Sequence, residues 1–541
     1  MTHHSRRRLA AVGAASLASA LAATTVAGPA LGSPSDGRTT APTTTVNPYL
    51  VPVAAGVHLT SHLTVGDEPT RNGYNMVGIP DGLGAFRQDG KVIAYLNHEL
   101  DVADGEGIVR AHGEEGAFVS RLVINPTTGG VTNGRDLIRT VRYYDYPERE
   151  YSDAPGAPVG AVEGHTAAFS RFCSGYLTTP GQLFSESAGV GTHDRVYFAN
   201  EESGDEGRVF GVLKGGRAVQ LPRLGLLSWE NTVAAYNYSA TTVVMGDDDN
   251  NPGELRVYVG RKQSSGTTVQ RAGLTNGQLF VVDAVNESVS TDAEFRATFG
   301  TGRPARVEFG SDERIDWTQS GAEQNVEAAA KGLQLNRIED GAFNPNNKND
   351  YYFTTTEGGS TEPSPDEPGL ERDGGGLWRL HFRNVERPEL GGTLTLLLDG
   401  SEAPYLFKPD NMTIDDDGNL LIQEDPGGND HIARIVAYDL RTGDRGVLAQ
   451  FDPALFGVTN PAGVEPDDRA VLTTDEESSG IIPTEDIFGN NSDNTFLLDA
   501  QVHTQKTLPP GTGPGTVEEY VELGQLLSME VDNWRSVYTI E

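Results

Sequence analysis

Cys173 is the only cysteine in this 541-residue chain, so no internal disulfide can form and core packing together with bound ions must hold the fold. A lone thiol in an exported protein invites oxidation unless it is buried or coordinated. Basic residues are scarce too: 41 Lys and Arg stand against 77 Asp and Glu, a formal charge of −36. That imbalance makes nucleic acid and anionic membrane surfaces poor partners, and it repels an anionic substrate unless bound cations invert the field locally. Beyond the N-terminal segment no apolar run is long enough to span a bilayer. Helical periodicity is scarce outside short stretches such as AEQNVEAAAKGL. Several catalytic signatures are missing as well. There is no G-x-S-x-G of a serine hydrolase, no phosphate-binding G-x-x-x-x-G-K-[ST] and no dinucleotide fingerprint. The one R-x-H-G, Arg110 to Gly113, lacks the flanks of a histidine phosphatase.

What the chain has in abundance is turns and carboxylates. Glycine numbers 65 and proline 30, with many D-G, N-G and G-G pairs. Six times a polar turn leads into a run of β-forming residues that ends in a knot of acids: near Tyr95, Tyr197, Val244, Tyr352, Leu421 and Leu472. Most copies are followed at once by a second β-like run, such as RVFGVL, LRVYVG or GLWRLHF. A recurring strand–turn–strand unit too small to bury its own face is the building block of radial β architectures. The expectation is an all-β fold, a six-bladed β-propeller with insertions and short helices, in which the acidic strand ends converge. Crowded carboxylates resist ionising together, so such a ring calls for bound cations or raised pKa values. Taken one at a time the same acids have blander readings. GDDDNNPG can be a solvated hairpin turn and EESGDEG a charged strand edge.

The N-terminal SRRRLAAVGAASLASALAATTVAGPALG carries consecutive arginines, an Ala/Leu-rich core and small residues suited to cleavage. It resembles a twin-arginine export signal, with an ordinary Sec signal as the alternative. Residues 1–32 are read as signal peptide, 33–45 as a disordered Ser/Thr/Pro leader, and 46–541 as a single propeller domain with a metal site at its central channel. The mature protein is expected to be soluble, exported and monomeric.

LNHE, SRFCSGYLTTPGQLFSE, GLLSWENTVA, VVMGDDD, NRIEDGAFNP and PDNMTIDDDGNLLIQED follow one another along the chain. Together, over roughly residues 70 to 430, they resemble the PhoX family of secreted alkaline phosphatases. The resemblance implies a propeller that holds calcium and iron(III) and hydrolyses small-molecule phosphomonoesters. By the same resemblance Cys173 falls where the family has an iron-binding thiolate, and Glu99, Glu186, Glu230, Glu339 and Asp340 are the leading cation ligands. Asp247, Asp248, Asp410 and Asn411 form a second tier that can equally be turn formers. Arg337 and Arg434 are the candidates to clamp the phosphate. The phrase RFCSGY departs from the family's form at Cys173, and beyond residue 440 the family's late acidic segment finds no counterpart.

Phosphoester hydrolysis needs an aligned nucleophile and positive charge on the equatorial oxygens, and neighbouring metal ions can supply both. The expected attacking group is accordingly a metal-bridged oxygen, with no Ser or Thr nucleophile. His98 is read as a core or orienting histidine and Trp229 as packing beside Glu230, while His165 carries no assignment. Two other classes fit parts of the pattern. One is a calcium-dependent propeller hydrolase of another kind, phytase-like, phosphodiester-cleaving or lactonase-like; the other is a non-enzymatic propeller whose calcium ions tie blades together.

Overall fold

The structure is a computed structural model that describes residues 36–104, 107–155, 166–357, 375–427, 431–456, 476–485, 487–488, 494–503 and 521–540. The export segment and His165 lie outside the described residues. Gly37–Glu541 forms one compact unit.

Short runs of β-branched and aromatic residues separated by tight turns fold into six antiparallel-rich sheets, the blades of a propeller. Asp89 and Gly90, both with positive φ, make the two-residue turn of the first hairpin, a geometry whose twist matches that of the strands. The innermost strands of blades one to five are Pro80–Gln88, Phe172–Leu177, Trp229–Ala234, Ile338–Phe343 and Pro409–Ile414. Blade six presents two short inner pieces, Glu476–Glu477 and Ile481–Pro483, both paired to Thr495–Val502. Each inner strand packs against the next around the axis, and the sixth returns to the first. They approach closely because glycine sits between them: a Cβ at Gly82 would lie 2.2 Å from the backbone nitrogen of Gly175.

The ring closes through the N-terminal strands. Val57–Thr64 pairs antiparallel with Leu523–Val531 in blade six, and Leu50–Pro52 borders Arg445–Phe451 in blade five. Arg38–Thr40, expected within a disordered leader, instead runs parallel to Val57–Thr64, its backbone taken up by that strand's open edge. Between blades the core is apolar. Val243, Met245 and Val257 of blade three meet Phe353, Trp378 and Leu380 of blade four, all buried, each such side chain contributing about 1.5–3 kcal/mol. Three short α-helices lie among the described residues. One, Gly321–Ala329, falls in the helical stretch read from the sequence, and Ser320 and Glu323 cap it reciprocally. No described helix is long and apolar enough to cross a membrane.

Candidate metal centre

At the same place in five blades the innermost strand breaks register with its neighbour. Pairing skips from Pro80 to Leu83, Phe172 to Gly175, Trp229 to Thr232, Ile338 to Gly341 and Pro409 to Met412. Such a bulge bends the strand and re-aims the extra side chain. The first residues inside the five bulges are Asp81, Cys173, Glu230, Glu339 and Asp410, and Glu477 follows Glu476 at the start of blade six. A second set comes from the adjoining strands. Just past the paired ends, Glu99, Glu202, Asp249, Thr356 and Asp425 each donate a backbone N–H, at 2.9–3.0 Å, to the residue preceding the inner strand: Ile79, Arg171, Ser228, Arg337 and Lys408.

The two sets interlock. Potential ligand atoms lie within 4.8 Å of one another in four overlapping groups: Asp81, Glu99 and Cys173; Cys173, Glu202 and Glu230; Glu230, Glu339 and Asp410; Asp410, Asp425 and Glu477. Cys173 Sγ lies 3.2 Å from Asp81 Oδ2, and Gln501 donates to both Asp81 and Glu99 at 3.2 and 3.3 Å. Arg171 bridges Glu99 and Glu202 at 2.6 and 2.5 Å. Arg337 holds Asp249 at 2.7 Å and Glu339 at 3.0 Å. Four residues that precede inner strands, Ile79, Arg171, Arg337 and Lys408, have φ of 40–54°. That backbone is rare outside glycine, costs about 1–2 kcal/mol each, and is characteristic of functional sites.

Burial first, and then neighbouring carboxylates, push the carboxyls of Asp81, Glu230, Glu339, Asp410 and Glu477 well above the usual range. Burial also raises Glu202, with Arg171 opposing it, and the Cys173 thiol rises through burial and the charges of Asp81 and Glu230. Asp81 Oδ1 and Glu230 Oε1 are buried with no hydrogen-bond partner among the described residues. Nine carboxylates and a thiol against two paired guanidiniums form a donor set that fits cations rather than a stable neutral core.

Beneath the ring lies a polar floor that positions it. Asn97 donates to the carbonyl of Cys173 at 2.6 Å and receives a bond from Tyr197 at 2.8 Å. Asp340, the second bulge residue of blade four, accepts from Asn231, Gly341 N and Met412 N, and burial lifts its pKa to about 6. Asn411 donates to Ser174 Oγ at 3.1 Å, and Asp247 accepts from Tyr351 at 2.7 Å. Asp340, Asn411 and Asp247, read as ligands from the sequence, therefore brace the floor.

Three further expectations are corrected. Asp248 points the other way along its strand and pairs at 3.0 Å with Arg256, both 1% exposed, leaving Asp249 to face the ring. Glu186 is exposed beside the Phe184–Ser185/Val190–Gly191 hairpin, and Glu202 occupies the place beside Cys173. Arg434 is committed to Glu424 at 2.7 and 2.9 Å and to the Tyr405 carbonyl, inside its own blade. Glu99, Cys173, Glu230, Glu339 and Asp410 are brought together; Glu202, Asp425 and Glu477, acids of the strand-end knots that fit metal binding and surface charge equally well from sequence, join them, and Asp81 and Asp249 join them unanticipated. His98 is buried between the Gly78 carbonyl and Ser120, stacked on Phe118, and Trp229 is buried in the core.

One solved structure shares this fold. The solved structure of Pseudomonas fluorescens PhoX in complex with vanadate, a transition state analogue, covers 90% of this chain and 96% of its own, with a TM-score of 0.55 at 12% identity. A 6-phosphogluconolactonase of Bacteroides uniformis, described as putative, covers 71% of this chain and 83% of its own, with a TM-score of 0.29 at 12% identity. No curated protein matches the sequence. The family model described as Alkaline phosphatase PhoX matches residues 214–466, from the end of blade two through blade five. Over those residues the chain is similar to the alkaline phosphatase PhoX family, the family its motifs resemble.

Proposed function

We propose that the protein hydrolyses small-molecule phosphomonoesters at the mouth of its propeller channel, using calcium and iron ions held by the bulge ring. The observation that carries the reading is the fivefold use of one strand irregularity to aim Asp81, Cys173, Glu230, Glu339 and Asp410 at one another. The groups that include Cys173 offer a soft thiolate beside carboxylates and suit iron. Glu230, Glu339, Asp410, Asp425 and Glu477 offer oxygen alone, the preference of calcium. Bound there, these ions supply positive charge for the phosphoryl oxygens and acidity for the attacking water.

The chain's own side chains do the positioning. The floor of Asn97, Tyr197, Asn231, Asp340 and Asn411 fixes the bulges by hydrogen bonds to backbone and side chain. Gln501 ties Asp81 to Glu99. Arg337 stands at the rim with its Nε and Nη2 on Asp249 and Glu339, and its Nη1 is the donor it offers to a phosphate oxygen. The N-terminal segment is read as a twin-arginine signal, which fits a protein folded and loaded with metal before export.

Turnover of p-nitrophenyl phosphate, with elemental analysis of protein exported in folded form, tests the reading. Activity lost on chelation and restored by calcium with iron supports it. Restoration by calcium alone in iron-free protein rejects the mixed cluster, and absence of turnover at every metal supplement rejects the hydrolase.

A further inference from the structure

Three cationic residues occupy one structural position. Arg171, Arg337 and Lys408 each directly precede an inner strand, each with φ between 40° and 54°. Each also accepts, through its carbonyl, the N–H of the residue just past the adjoining strand: Glu202, Thr356 and Asp425. The shared backbone sets the three side chains around the same rim, two residues before Cys173, Glu339 and Asp410. Two of them are spent on carboxylates. Arg171 is held by Glu99 and Glu202, and Arg337 by Asp249 and Glu339. Lys408 differs: among the described residues its half-buried side chain has neither an ion pair nor a hydrogen bond.

Its place is nonetheless defined. A Cβ at Gly427 would stand 3.6 Å from Lys408 Nζ and 3.9 Å from Asp425 Oδ1, so the ammonium lies at the lip where Asp425 joins Asp410 and Glu477. A lysine next to so many acids would be expected to pair with one. Left unpaired, and held on strained backbone directly before Pro409, whose ring restricts it further, it has three free donors for a ligand that arrives from outside.

We propose that Lys408 is a substrate-binding residue whose ammonium takes an oxygen of the phosphate group. This rests on the phosphatase reading and adds to it a contact from blade five, next to the blade that carries Arg337. An ammonium is a compact point charge without Arg's fixed fork. It therefore grips one oxygen of the orthophosphate product as readily as the ester and tolerates varied leaving groups.

Lys408→Met removes the charge and keeps the length; Lys408→Arg keeps the charge. The measurement is equilibrium binding of inorganic phosphate to metal-loaded protein, alongside KM and kcat for p-nitrophenyl phosphate and the bound-metal content. Lys408→Met should weaken phosphate binding and raise KM about tenfold, the usual scale for a charge-assisted hydrogen bond. Metal content should stay unchanged, and Lys408→Arg should recover most of the affinity. Unchanged phosphate affinity in Lys408→Met overturns the assignment while wild-type turnover leaves the phosphatase intact. Loss of metal in Lys408→Met overturns it in favour of a structural role. A wild-type protein that binds phosphate through Lys408 but turns nothing over upholds the contact and removes the hydrolase. Failure of metal-loaded wild-type protein to bind phosphate at all overturns the contact.

Discussion

Removing the cations should make the protein's stability fall with pH, and the sign follows from burial of the ring. In the metal-free fold Asp81, Glu202, Glu230, Glu339, Asp410 and Glu477 have raised pKa values, whereas in the unfolded chain they ionise near 4. Above that value the folded state holds protons the unfolded state has released. The stabilisation is thus complete below about pH 4 and is lost as pH rises through the folded pKa values. Each proton so retained contributes a slope of about −1.4 kcal/mol per pH unit. A single retained proton between pH 6 and 8 therefore costs about 2.7 kcal/mol, a large share of a typical 5–15 kcal/mol net stability. Other groups oppose this. Burial lowers His62 to about 4, His98 to about 3, His112 to about 4 and Lys262 to about 8, and each of these favours the fold as pH rises. Both forms contain these groups, so the informative quantity is the difference between calcium- and iron-loaded protein and chelated protein. Urea midpoints of both forms at pH 6, 7 and 8 should show a gap that widens by at least about 1.4 kcal/mol per unit. A gap that is constant or narrows would refute the claim that the ring carries protons when it lacks cations.

Four substitutions probe other parts of the argument. Cys173→Ser should abolish most iron binding and lower kcat by at least about a hundredfold, the scale on which losing a ligand or its support acts; elemental analysis showing full iron content would contradict the thiolate assignment. Glu202→Gln should behave like Cys173→Ser in metal content and activity. Glu186→Gln, on an exposed hairpin, should leave activity and melting temperature unchanged, and the reverse ranking would put the wrong glutamate at the site. Arg256→Met leaves Asp248 and Glu254 buried without their counter-charge and should destabilise blade three by about 3–5 kcal/mol, read as a lower denaturation midpoint with normal metal stoichiometry in the protein that folds.

The propeller was legible in the sequence because its repeat is local: turn, strand, acids, turn, strand. The identity of the ring was only half legible, and the obstacle is the twofold alternation of side chains along a strand. In Asp247-Asp248-Asp249 the first member faces the channel floor, the second clamps Arg256 within the blade, and the third meets Arg337. The pattern recurs in Glu201-Glu202, with Glu201 bound to Arg208, and in Glu424-Asp425, with Glu424 bound to Arg434. Composition marks such a knot but cannot choose its phase; the partner arginine on the third strand does. The bulges hide the other half, because an extra residue shifts the phase within the strand itself. Asp81 carried a usable signal, since Pro80-Asp81-Gly82 and Pro409-Asp410-Asn411 open their inner strands alike. Glu186 was misread because a hairpin is inserted between Cys173 and the strand that carries Glu202.

What the repeat does not supply is symmetry, and the chemistry depends on that. One bulge position reads Asp81, Cys173, Glu230, Glu339 and Asp410 from blade to blade, with Glu477 opening blade six, so a soft donor occurs once and defines one side of the ring. The adjoining-strand position reads Glu99, Glu202, Asp249, Thr356, Asp425 and His503. Blade four, with Thr356, contributes no second carboxylate; there Arg337 reaches across to Asp249 of blade three. In blade six His503 turns to Glu522 at 2.7 Å. Acid is thus withheld on the two blades that flank blade five, the blade that presents Lys408. A ring uniform in carboxylates would bind cations all round and repel a phosphate from every direction; one with gaps beside its cationic side chains leaves an anion a side from which to approach.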